Sequence, residues 1–237
     1  MKSSLSARSL AIAAAVVVAL AVAIGVLLMS IPPVVGLGDR VKLPLLHGGS
    51  TWIDLVIFAL MGIAGAVYVS TRDERVYAWE FGFRTVASPL WLLNSVLGFI
   101  AASSTWDFSA SKVSAFTVVL HDPRLMAQFL MLAGVAVLLI ADWIVLEKRW
   151  HKAVADVAFT VLMCVVMADI FLDPVKRALH PDSPVLHSGL EIQLPFYGIV
   201  AGWFAIMLII TWLVHLYVRP EASALAPAEA PAEAPTT

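Results

Sequence analysis

The chain has 237 residues, 61% of them hydrophobic and 14% charged, with a formal net charge of −2. A soluble domain is about 45–50% apolar and about 25% charged, so this composition belongs to an integral membrane protein. The charge balance gives nucleic acid no electrostatic hold, and the single cysteine, Cys164, excludes both an intramolecular disulfide and a Cys-x-x-Cys redox site.

A membrane-crossing helix needs roughly 20 mostly apolar residues. Six runs qualify, at about 10–31, 51–71, 85–104, 125–146, 153–173 and 196–218. Each is continuously apolar, without the period-2 alternation of a membrane barrel. The predicted fold class is therefore all-α, a polytopic bundle of six transmembrane helices. Lys2 and Arg8 precede the first run. That run exceeds the about 7–15 residues of a signal-peptide core and lacks a small-x-small cleavage site, so it reads as an uncleaved first span. Lysine and arginine bias sets orientation. With the N-terminus in the cytoplasm, nine cations fall inside (Lys2, Arg8, Arg72, Arg75, Arg84, Lys148, Arg149, Lys152 and Arg219) and six outside (Arg40, Lys42, Lys112, Arg124, Lys176 and Arg177). Both termini are expected in the cytoplasm. The chain divides into a short N-terminal segment (1–9), one membrane domain (10–218) and an Ala/Pro/Glu tail (219–237) with too few large apolar residues to fold.

The three outer segments, about 32–50, 105–124 and 174–195, carry four of the six histidines: His47, His121, His180 and His187. Imidazoles distant in sequence but gathered on one face suit a metal or a haem. In the first segment His47 and Trp52 flank the entry to the second span. Ser50 and Thr51 are expected to cap that helix, and Gly48 and Gly49 to admit backbone or a flat ligand. Taken alone, His47 reads as a solvated loop histidine beside an interfacial tryptophan. The second segment carries Trp106, Phe108, Phe116, Val119 and Leu120 on an uneven apolar face, as in a helix lying on the membrane surface. Asp122 and Pro123, followed by Arg124, have the chemistry of a helix start. In the third, Lys176 and Arg177 precede His180; with Arg40 they can receive carboxylates or lipid headgroups. Inside the spans, Asn94, Asp142 and Asp169 stand out. Asp142 and Asp169 lie near span ends, where snorkelling suffices, and no chain of intramembrane acids is expected. His151 and His215 read as interfacial.

Three stretches resemble the cytochrome c assembly family, in particular its haem-handling cytochrome c maturation protein C (CcmC) type, over about residues 40–217. His47 to Trp52 resembles the family's His-x-Pro-x-x-Trp entry to the second span, with Gly49 where proline is usual. Asp122-Pro123-Arg124-Leu125 resembles the Asp-x-Arg-Leu that closes a tryptophan-rich loop and opens the fourth span, and Leu179-His180 resembles the Leu-His after the fifth. The loop departs from the family pattern. Val118, Val119, Leu120 and His121 stand where tryptophan and glycine are dense, Trp106 is its one tryptophan, and Lys176 and Arg177 replace two aromatic residues.

The resemblance implies a haem-binding and transfer protein of cytochrome c biogenesis rather than an enzyme, sited in the plasma membrane. His47 and His180 would be axial ligands of a transiently held haem b, with Trp52, Trp106, His121, Asp122 and Arg124 around it. Implied partners are a membrane-anchored haem chaperone and other maturation subunits, an ATP-binding cassette complex among them, in the lipid bilayer. Two other readings stay open: a non-haem docking subunit, which the tryptophan-poor loop favours, and a membrane cytochrome b, which the lack of histidines inside the predicted spans disfavours.

Overall fold

The computed structural model describes residues 6–106, 114–178, 185 and 187–224. Six helices in it are long and apolar enough to cross a membrane. They are α1 (Ala7–Ser30), α2 (Lys42–Thr71), α3 (Glu74–Thr105), α5 (Pro123–Ile144), α6 (Arg149–Leu172) and α8 (Leu190–Ala224). Two short helices, α4 (Ala115–Leu120) and α7 (Pro174–Ala178), sit between spans, and no strand occurs among the described residues. The protein is an all-α polytopic bundle, and an even number of crossings returns the chain to the end where it started.

The helix ends follow local chemistry. Ser6 caps α1 by accepting from the Ser9 N–H at 3.1 Å. Asp122 accepts from the N–H groups of Arg124 and Leu125 at 3.0 and 2.9 Å, and Pro123 opens α5 without an orphaned donor, as the sequence predicts.

Two expectations need correction. Residues 42–50, read as loop, are the first turns of α2. Pro44 is tolerated because first-turn N–H groups have no helical partner. Gly49 lies against α8, where a Cβ would meet Val200 at 3.3 Å. Ser50 and Thr51 therefore do not cap α2; their hydroxyls donate back to Leu46 and His47 carbonyls at 2.9 and 2.8 Å. Second, α3 begins at Glu74 rather than near 85, after a turn of only Arg72 and Asp73. Arg84 is thus a span residue, 2% exposed, and not a loop cation. At its far end α8 runs to Ala224, past the expected start of the tail.

Helices α2, α3, α5 and α6 form a four-membered ring. Helix α3 packs on α2 and α5, and α6 packs on α2 and α5, while α2 and α5 nowhere bring Cα atoms within 8 Å of each other. The middle of the ring is filled by Phe58, Met61, Trp91, Met131, Phe159 and Met163. Small residues set the close approaches: a Cβ on Gly62 would lie 2.5 Å from Thr160 of α6. Helix α8 lies outside against α2 and α3, and α1 packs mainly on α8, through Ile24, Leu27 and Ile199. The wide apolar exposure of α1, with Val18, Val22 and Val26 each above 60%, suits contact with lipid.

Candidate functional site

The ring carries polar groups at both ends and an apolar plug between them. At the first end, α2 presents His47, Ser50 and Asp54 at i, i+3 and i+7, one helical face. Opposite are Asn94, Ser95 and Gly98 of α3 and Gln128 of α5. The single Ser50 hydroxyl proton is shared between the Leu46 carbonyl and Asn94 Oδ1, and Asn94 Nδ2 donates to Asp54 Oδ2. Asp54 is fully buried. Trp91 anchors this layer from below, its indole N–H donating to the Gln128 carbonyl at 3.1 Å.

His47 is half-buried on the second turn of α2, not in a loop. Its Nδ1 lies 3.3 Å from Thr51 Oγ1. The ring leans on Gly98, where a Cβ would fall 2.6 Å from Cε1 and 2.9 Å from Nε2. Trp52, five residues on, faces another way. It is 54% exposed and stacks on Phe171 of α6 with centroids 6.0 Å apart. The Arg124 guanidinium sits over the same Phe171 ring at 5.5 Å. An aromatic pair beneath a guanidinium, at the His47 end of the ring, is a fit for a flat apolar ring with acidic arms. His47 fits only in part, because its Nε2 is turned into the bundle.

The remaining predicted residues are distributed as follows. Trp106 caps the C-terminal end of α3, its N–H on the Ala102 carbonyl at 3.1 Å, and packs on Val119 and Leu125. His121 is exposed, with Nδ1 2.7 Å from the Thr117 carbonyl. A carbonyl only accepts, so Nδ1 is the donor in this bond and Nε2 is the ring nitrogen that does not take part in it. Asp122 is occupied as the α5 cap and so positions Arg124. His187 is exposed. His180, Phe108 and Lys112 lie outside the described residues. Of the three cations expected to receive carboxylates, Arg40 donates to the Ser104 carbonyl at 2.9 Å, and Lys176 pairs with Asp169 at 2.5 Å. That hydrogen bond holds the Lys176 ammonium above its usual range. The Arg177 side chain is outside the described residues.

At the second end, buried charges form a cluster of which the sequence reading singled out only Asp142 among the acids. Arg84 reaches Asp142 of α5 at 3.3 Å and Asp156 of α6 at 3.4 Å, and Lys152 reaches Asp142 at 2.9 Å. Asp142 is therefore held by two cations rather than snorkelling alone. Glu80, one turn before Arg84, is fully buried, and neither of its oxygens has a hydrogen-bond partner among the described residues. His215, expected at the interface, is 5% exposed and stacks on Trp79 at 4.3 Å.

Sequence reading missed Asp54, Gln128, Phe171, Glu80 and Asp156. Asp54 had a signal, an acid inside an apolar run seven residues after His47, and Gln128 follows Arg124 by one helical turn. Phe171 had none, since its role comes from α6 meeting α2.

No family model matches the chain, and no curated protein matches it.

Proposed function

We propose that this is a haem-binding and haem-transfer protein of cytochrome c biogenesis, not an enzyme, with its His47 end on the outer face of the plasma membrane. The observation that supports it best is the Trp52–Phe171 pair beneath Arg124, on the same end of the ring as His47. Haem, when bound, supplies an iron that takes two imidazoles and a flat ring with two carboxylates. His47 and His180 are the proposed axial ligands, by resemblance to the assembly family. Trp52 and Phe171 offer the flat apolar face, and Arg124 a carboxylate partner. His121, which bonds the Thr117 carbonyl through Nδ1, is a further imidazole at this end. A haem chaperone and other maturation subunits, an ATP-binding cassette complex among them, are the proposed partners.

The test is the absorption spectrum of the full-length protein, purified in mild detergent from cells making haem. A Soret band is expected in the wild type, and His47→Ala or His180→Ala should each remove most of it. Trp52→Ala and Arg124→Ala should weaken it, and His187→Ala should leave it intact. Loss in His121→Ala would make that imidazole a ligand in its own right. No Soret band in the wild type, oxidised or reduced, refutes the haem reading and favours a docking subunit, for which the inward-turned His47 is the supporting observation.

Sidedness has its own test, in a Cys164→Ala background. A cysteine at Val35, which is fully exposed, should react with an impermeant maleimide on whole cells, and one at exposed Thr71 only after lysis. The reverse pattern would place the His47 end inside.

A further inference from the structure

His47 has a defined place to sit when it is not a ligand. Helix side chains lean toward the helix N-terminus, here toward the open end of the ring. The imidazole instead lies across α3 at Gly98, closer than any Cβ tolerates: real Cβ contacts essentially never fall under 3.0 Å, and a Cβ at Gly98 would be 2.6 Å from Cε1. Glycine at this position is what admits the ring. Gln128 completes the recess, because its Oε1 lies 2.9 Å from the same Cβ position. Gln128 is 5% exposed, and its amide nitrogen has no partner among the described residues. Ser50, Asn94 and Asp54 form the polar floor. An imidazole, polar at both nitrogens, suits such a recess better than an apolar side chain does.

We propose that Gly98 and Gln128 form a parking recess for the His47 imidazole and thereby set how tightly this end of the protein holds haem. The proposal rests on the haem reading above. Gly98 and Gln128 are positioning residues, since neither touches the ligand. In the parked orientation Nε2 faces α3, so ligation requires the ring to turn out. The apparent dissociation constant is the intrinsic one divided by the fraction turned out; parking about nine-tenths of the time weakens binding about tenfold. A transfer protein gains from this, because the parked state competes with the iron for the imidazole and favours release.

The test uses the full-length protein in detergent and two variants, Gly98→Ala and Gln128→Met. One readout needs no haem: the rate at which diethyl pyrocarbonate modifies His47, followed by mass spectrometry of the peptide containing it. The other is haem titration. In Gly98→Ala the methyl group takes the place of the ring, so modification should speed several-fold and haem affinity rise, by up to about tenfold. Gln128→Met, which keeps Gly98, should shift both in the same direction by less, and guards against a packing fault in Gly98→Ala. Unchanged modification rates in two variants that stay monodisperse and folded overturn the recess, whatever haem does. Faster modification with unchanged haem affinity overturns the link to binding. Faster modification in a protein whose wild type takes no haem at all defeats the haem reading and the affinity claim with it, and those failures are told apart by the haem-free readout.

Discussion

Replacing Arg84 with methionine should destabilise the protein by about 3–5 kcal/mol, the usual cost of removing one partner from a buried ion pair. The guanidinium is 2% exposed and is the one cation within 4.0 Å of Asp156, itself fully buried, among the described residues. Lys152 still reaches Asp142 after the change, but Asp156 loses its cation and Glu80, which pairs with none among the described residues, loses the nearby positive charge. The charge ledger sharpens the expectation. Glu80, Asp142 and Asp156 face Arg84 and Lys152, three acids against two cations, so removing Arg84 makes the imbalance worse. Adding Asp156→Asn to Arg84→Met should restore at least half of the loss. Glu80→Gln alone should be neutral or stabilising, since it removes the acid that has no ion-pair partner. Thermal or detergent-titrated unfolding of the four proteins reads all of this. A small loss in Arg84→Met, unaffected by Asp156→Asn, would mean that water carries the cluster instead of the guanidinium.

The second large effect is expected at Trp91, in the apolar plug between the two polar layers. Trp91→Ala should cost about 3–5 kcal/mol, as large-to-small core changes do when the surroundings cannot collapse. Trp91 is 1% exposed, meets Phe58 edge-on at 5.9 Å, and ties α3 to α5 through the Gln128 carbonyl. In a bilayer the unfolded helices are already in an apolar medium, so the loss is one of packing and a hydrogen bond, with little from water transfer. Trp91→Phe keeps most of the packing and should lose less than half as much. Equal losses in Trp91→Ala and Trp91→Phe would show that the hydrogen bond dominates.

The parts of the fold decided by adjacent residues were legible in the sequence. Asp122 and Pro123 start α5 where their side-chain chemistry says they should, and the six apolar runs are six spans. The parts decided by distant residues were not. Pro44, Gly48 and Gly49 read as loop, yet they lie in α2: Pro44 is in the first turn, where no N–H partner is needed, and α8, about 150 residues later, packs against Gly49. Glu80 and Arg84 read as a cytoplasmic segment because charges are costly in lipid. Their cost is offset by Asp142 and Asp156, which belong to other helices. The same applies to the candidate site. His47 and Trp52 were found from their spacing, but the spacing could not tell that they face different neighbours, Gly98 for one and Phe171 for the other.

The placement of α1 has a consequence for synthesis. Its main partner is α8, and about 160 residues separate the end of one from the start of the other. At about 5–20 residues per second, α1 emerges on the order of 10–30 s before the surface it docks on exists. During that interval it must be content among lipids or held by the insertion machinery, which its broadly apolar surface allows. The ring of α2, α3, α5 and α6 is complete before α8 arrives, so the first helix made is among the last to be assembled. The last span thus closes the structure twice, once on the ring and once on the start of the chain.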